Sequence, residues 1–142
     1  MTQNVVLLGS TGSIGTQALE VIDDHSQRFN VVALSAGGHS LDVLAHQCLR
    51  YRPQIVGIHS ERQDELAQLI LALGGAVPEI LHGPGASTQI AGLFSDAVVL
   101  NGITGGVGLG PTLAALESGA TLALANKESL VVGGALVRRC MR

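Results

Sequence analysis

Short apolar runs alternate with helix-period segments along this chain, and that alternation constrains the fold more than any other feature. Asn4 to Leu8, Asn30 to Ser35, Gln54 to Ile58, Ala97 to Leu100 and Thr121 to Ala125 read as strands, with Glu79 to Leu81 a shorter candidate. Helical spacing follows each: Ile14, Ala18, Val21 and Ile22, then Leu41 to Arg50, about Glu61 to Leu73, Ala86 to Leu93, and Pro111 to Glu117. A last helix begins near Leu130, with Val131, Gly134 and Val137 on its face. Glycine and proline punctuate the joins at Gly37-Gly38, Pro53, Gly74-Gly75, Gly83-Pro84-Gly85 and Gly119. Strands separated by helices pair in parallel through right-handed crossovers. The expected class is therefore α/β, a Rossmann-like, doubly wound, mostly parallel sheet with helices on both faces. Residues 1–142 make one domain of this kind.

The first strand runs directly into Gly9-Ser10-Thr11-Gly12-Ser13-Ile14-Gly15. Strand, glycine turn and helix in succession form an anion cradle, because the amides at a helix start point outward and the helix dipole favours negative charge there. Gly9 suits the tight turn, Gly12 the close approach of a pyrophosphate, and Gly15 the packing of helix on strand. The spacing is G-x-x-G-x-x-G, a loose match to the dinucleotide fingerprint, and an ordinary glycine-rich turn is the bland alternative.

A second polar island interrupts apolar sequence near the other end. Asn126-Lys127-Glu128-Ser129 separates the strand ending at Ala125 from the final helical segment. Asn126 suits the helix cap. Lys127 is out of place there, because a cation in the first helical turn opposes the dipole by roughly 0.3–1 kcal/mol. Glu128 or a phosphorylated ligand would make the position sensible; a solvated lysine is the plain alternative.

Composition narrows the partners. Two Phe, one Tyr and no Trp dictate an aliphatic core and leave no stacking platform for single-stranded nucleic acid. A net charge of −3 provides no electrostatic footprint for DNA or RNA. No apolar stretch has the length to span a membrane, and the first strand begins within four residues of Met1, so a cytoplasmic chain without a signal peptide is expected. Cys48 and Cys140 suggest two free thiols. His25, His39, His46, His59 and His82 lack metal-ligand spacing and are expected mostly at the surface, so no metal site is assigned.

Cofactor choice turns on the second strand. NAD-binding domains usually end it with an acidic side chain that holds the ribose hydroxyls. No Asp or Glu lies between Asp24 and Asp42, where Ser35-Ala36-Gly37-Gly38-His39-Ser40 offers hydroxyls, amides and an imidazole. Those groups accept a 2′-phosphate that a carboxylate would repel, which points to NADP; for Ser40, helix capping is an equal reading. A short-chain dehydrogenase would need Tyr-x-x-x-Lys, but Tyr51 is followed four residues later by Ile55. The P-loop pattern is likewise missing from the sequence.

Taken together, GSTGSIG after the first strand, AGG after the second, Pro111-Thr112-Leu113-Ala114-Ala115 and LANKES resemble the N-terminal, NADPH-binding domain of the 1-deoxy-D-xylulose 5-phosphate reductoisomerase family. The resemblance implies NADPH held at its pyrophosphate by Thr11, Gly12, Ser13 and Ile14, with Gly37, Gly38 and His39 near the adenosine ribose phosphate. Asn126 and Glu128 would contact the cofactor, and Lys127 would reach the sugar-phosphate substrate as the catalytic cation. At Gly38 and His39 the chain departs from the basic residue and Asn that the family often carries. The implied reaction rearranges 1-deoxy-D-xylulose 5-phosphate and reduces it to 2-C-methyl-D-erythritol 4-phosphate for isoprenoid synthesis, with a divalent magnesium or manganese ion. In the family, the acidic metal ligands and C-terminal domains follow the region matched here. The resemblance thus implies a cofactor-binding part that turns over no substrate alone, from a homodimeric parent, with a monomer open for this chain. A non-catalytic NADP-binding sensor is the alternative reading.

Overall fold

The structure, a computed structural model, describes residues 2–103 and 106–124. Among these residues six strands are formed: β1 (Gln3–Leu8), β2 (Phe29–Ala36), β3 (Ile55–Ile58), β4 (Glu79–His82), β5 (Val98–Asn101) and β6 (Thr121–Leu124). Between them lie α1 (Ser13–Asp24), α2 (Leu41–Tyr51), α3 (Gln63–Ala72), α4 (Ala86–Ala91) and α5 (Leu109–Ser118). All five strand pairings are parallel, in the order β4-β3-β2-β1-β5-β6. The chain builds outward from β1 to β4, then returns to the other side of β1 to place β5 and β6. The reversal puts the topological switch point between the carboxyl ends of β1 and β5, where sheets of this kind hold ligands.

Each face of the sheet carries its own core. Val5 and Leu7 pack with Leu19 and Ile22 of α1, Leu44 and Cys48 of α2, and Leu66 and Ile70 of α3. Val6 and Leu8 turn to the opposite face, with Ile90 and Ala91 of α4 and Ala115 of α5. The period-two alternation of a strand produces this division. In β2 it is broken: Val32 and Ala33 both join the second core, because the β1–β2 register shifts between Val5 and Val6 and pairs Val6 with Ala33. Burial on α1 falls on Gly15, Leu19 and Ile22, while Val21, expected on the inner face, is 57% exposed. The inner stripe runs one residue round from the sequence reading, with Leu19 in the place given to Ala18 and Ile22 in that given to Val21.

The element ends follow local chemistry. Arg52 closes α2 in the left-handed region at φ 50°, and Gly119 closes α5 at φ 89°. Pro111 lies in the first turn of α5, where its missing N–H costs no intrahelical bond. Ser40 occupies the cap position of α2 without a side-chain capping bond, so only its backbone serves that helix, through the Leu44 amide at 3.1 Å. The final helical segment from Leu130, and Cys140, lie outside the described residues.

Candidate functional site: the carboxyl edge at the switch point

The turn after β1 is clamped from three directions. The amides of Gly9 and Ser10 both donate to the Ser35 carbonyl of β2 at 2.8 Å, and the Gly102 amide after β5 donates to the Leu8 carbonyl at 2.9 Å. Buried Gln47 of α2 donates through Nε2 to the Ser10 carbonyl at 3.0 Å. Gly9 has φ 79°, and a Cβ there would lie 3.1 Å from the Gly102 backbone, so the residue satisfies both the turn and the close approach of two chain segments. A Cβ on Gly15 would sit 2.2 Å from the Gly9 carbonyl oxygen and 2.7 Å from Ser10 Cα. Helix α1 can start this close to its own strand only with glycine at that position.

Gly12 differs from both. Its nearest neighbour for a Cβ is the Gly9 carbonyl oxygen at 3.6 Å, an ordinary contact, and its φ of −79° suits any residue. The fold does not require glycine there, while Gly12 and Ser13 are exposed on the cavity side. Gly12 caps α1 with no side-chain hydrogen bond to the first-turn amides. Helix starts of this kind bind anions through their amides and dipole.

A cavity of about 620 Å³ opens over this turn. Thr11, Gly12, Ser13 and Ile14 form one wall, Gly37, His39 and His59 a second, and Gly102, Ile103 and Pro111 a third. Pro84, Ser87 and Thr88 contribute from the start of α4. Its size is that of a cofactor pocket. Six of the cofactor residues read from the sequence therefore meet on one surface. Gly38 does not line it: the residue is buried, a Cβ there would fall 2.2 Å from Ser60 Oγ, and its carbonyl accepts from Arg62 Nη1 at 2.9 Å. Gly38 shapes the turn between Gly37 and His39. Asn126, Lys127 and Glu128 lie outside the described residues.

Sequence reasoning missed three contributors. His59 follows β3 as His39 follows β2, and the rule that ligands gather at carboxyl strand ends would have pointed to it. Arg62 reaches back to the β2 loop, a contact invisible in linear order. Asn101 is fully buried at the end of β5, one residue beyond the strand read from the sequence. Its Nδ2 donates to the Gly108 carbonyl at 2.9 Å and to Thr112 Oγ1 at 2.8 Å, and its Oδ1 accepts from the Ile103 amide at 3.1 Å. That network ties the β5 loop to α5 and fixes the third wall of the cavity.

A shallower groove of about 360 Å³ lies between the outer faces of α1 and α2. Asp23 accepts there from Tyr51 Oη at 2.8 Å and pairs with Arg50 Nη2 at 3.2 Å. The Asp23 bond raises the Arg50 pKa, and partial burial followed by the same carboxylate raises that of Tyr51. Glu20 and Asp42 add further negative charge, which suits a solvated helix face and opposes phosphate. Cys48, buried in the first core, has its thiol pushed up to about 12 by desolvation. Among the described residues, no group of three His, Cys, Asp or Glu side chains is placed to hold a metal ion.

Strand order, switch point and glycine turn define a Rossmann-like α/β protein with a helix start free of side-chain caps at the centre of its carboxyl edge. Residues 5–134 match the family 1-deoxy-D-xylulose 5-phosphate reductoisomerase, and the chain belongs to that family. The reductoisomerase of Paenarthrobacter aurescens strain TC1 is 59% identical over 142 residues, covering 96% of this chain and 36% of the relative. That of Beutenbergia cavernae is 59% identical over 136 residues, covering 96% of this chain and 34% of the relative. The solved Zymomonas mobilis enzyme in complex with NADPH superimposes with a TM-score of 0.90 at 34% identity, over 100% of this chain and 36% of that one. A reductoisomerase structure with NADPH, fosmidomycin and magnesium gives 0.90 at 33% identity, over 98% and 34%. The chain thus spans about a third of the length of the relatives it matches.

Proposed function

We propose that this chain is the NADPH-binding part of a 1-deoxy-D-xylulose 5-phosphate reductoisomerase, the enzyme that rearranges and reduces its substrate to 2-C-methyl-D-erythritol 4-phosphate. The observation that carries the reading is the bare start of α1, which opens on a cofactor-sized cavity at the switch point. A cradle of this form accepts a pyrophosphate on the amides of Ser13 and Ile14, with Gly12 leaving room for close approach. Gly37 and His39 then flank the adenosine ribose, with no carboxylate between Asp24 and Asp42 to repel a 2′-phosphate. Bound NADPH supplies a hydride; the chain's own task is to seat and orient it. Among the described residues there is no donor set for the divalent metal.

Lys127 is the proposed contribution of this chain to the reacting centre, with Asn126 and Glu128 beside the cofactor. Support comes from strand register. Leu8 pairs with Asn101 and Asn101 with Leu124, so the last residues of β1, β5 and β6 stand level across the sheet. Adjacent strands are about 4.8 Å apart, which puts the end of β6 roughly 10 Å from the start of the glycine turn. Lys127 follows three residues later, a span of at most about 10 Å of chain plus its long side chain. A fixed ammonium at that edge stabilises oxygen anions that develop during the rearrangement. The cytoplasm is the proposed compartment, with a homodimeric whole enzyme acting on a sugar phosphate.

A fluorescence titration of the chain with NADPH and NADH tests the reading. Saturable binding with NADPH preferred is expected; no binding of either nucleotide by a folded chain contradicts it.

A further inference from the structure

A dinucleotide 2′-phosphate carries nearly two negative charges, and sites that prefer it usually place an arginine nearby. Among the described residues the chain has four side chains with permanent positive charge: Arg28, Arg50, Arg52 and Arg62. Arg28 immediately precedes β2, where its carbonyl accepts from the Gln3 amide, so it belongs to the amino edge of the sheet. Arg50 lies in the last turn of α2 and is paired with Asp23 on the outer groove. Arg52 stands between α2 and β3, again before a strand begins. Only Arg62 follows the carboxyl end of a strand, and it reaches across to the loop after β2.

We infer that Arg62 is the residue that makes this site prefer NADPH over NADH, by pairing with the 2′-phosphate beside the Gly37–His39 turn; the inference rests on the dinucleotide reading proposed above. Arg62 Nη1 donates to the Gly38 carbonyl at 2.9 Å, and the residues on either side of Gly38 both line the cavity. The guanidinium is thereby held against the turn that faces the adenosine end. Its Nη2 pairs with Glu65. A guanidinium has five N–H donors, so these two bonds leave donors for a phosphate. The side chain is 47% exposed, open to a ligand arriving from solvent. Glu61, the nearer carboxylate in sequence, is engaged by His82 Nδ1 at 2.7 Å. Glu65 is the competing anion on Nη2, and a phosphate would take charge-assisted bonds from the guanidinium donors that remain.

The test compares wild type, Arg62→Ala and Arg62→Lys in parallel titrations with NADPH and NADH, with urea unfolding to confirm folding. Arg62→Ala is expected to weaken NADPH binding about tenfold or more, as befits a lost charge-assisted bond, and to leave NADH within about twofold. Arg62→Lys is expected to recover part of the preference, since charge survives while the fork is lost. An unchanged ratio of the two affinities in Arg62→Ala overturns the inference while leaving the dinucleotide site in place. Equal losses for both nucleotides also overturn it, because Arg62 would then only brace the Gly38 turn. A folded wild-type chain that binds neither nucleotide removes the dinucleotide reading and this inference with it.

Discussion

Substitution at Gly12 and Gly15 separates what the fold needs from what the ligand needs. At Gly15 a methyl group would meet the Gly9 carbonyl oxygen at 2.2 Å and Ser10 Cα at 2.7 Å, both backbone atoms that no rotamer change can move. Overpacking of this severity costs about 3 kcal/mol, and the better helix propensity of alanine offsets at most about 1 kcal/mol. Gly15→Ala should therefore lose about 2 kcal/mol, moving a urea midpoint by roughly 1 M. At Gly12 the nearest atom is 3.6 Å away and the backbone needs no glycine. A cap position costs on the order of 1 kcal/mol when it loses glycine, against about 0.4–1 kcal/mol returned from the unfolded chain. Gly12→Val should stay within about 1 kcal/mol of wild type and yet lose NADPH binding at least ~100-fold, because its branches occupy the place of the pyrophosphate. Paired urea unfolding and NADPH titration read both effects. Wild-type affinity in folded Gly12→Val, or equal destabilisation by the two substitutions, would refute the assignment of Gly12 to the ligand.

Three further outcomes follow from the same geometry. Asn101→Ala breaks the bonds to Gly108, Thr112 and the Ile103 amide at a fully buried site and should cost about 2 kcal/mol or more in urea unfolding; a loss under about 0.5 kcal/mol would mean the network is dispensable. With its thiol at about 12, Cys48 in a Cys140→Ser background should resist iodoacetamide at pH 8 until denaturant is added; rapid labelling of the native chain would contradict its burial. In the whole enzyme, Lys127→Ala should reduce turnover far more than NADPH affinity, and equal losses would make Lys127 a nucleotide ligand instead.

The sheet was legible because each strand is a short aliphatic run and each join carries a glycine, proline or polar stop. Local periodicity thus coincides with burial at Val5 to Leu8 and at Ile55 to Ile58. It failed where tertiary geometry intervened. The β1–β2 register shift that sends two neighbouring residues of β2 to one core has no local signature. The inner face of α1 was misjudged at Val21, since Val21 and Ile22 are adjacent aliphatic residues and only docking chooses between them. The glycine turn was readable as a strand-to-helix turn, and the structure divides its glycines: Gly9 and Gly15 serve the backbone, and Gly12 is spare. The contacts of Arg62 and Asn101 were not readable, because their partners lie in other loops or depend on where α5 docks.

Backbone amide mapping by NMR during an NADPH titration addresses the proposed cofactor edge most directly. The account predicts that Thr11 to Ile14, Gly37, His39 and Gly102 shift first and most, as walls of one cavity. Shifts confined instead to Glu20, Asp23, His46 and Arg50, in the groove between α1 and α2, would contradict it.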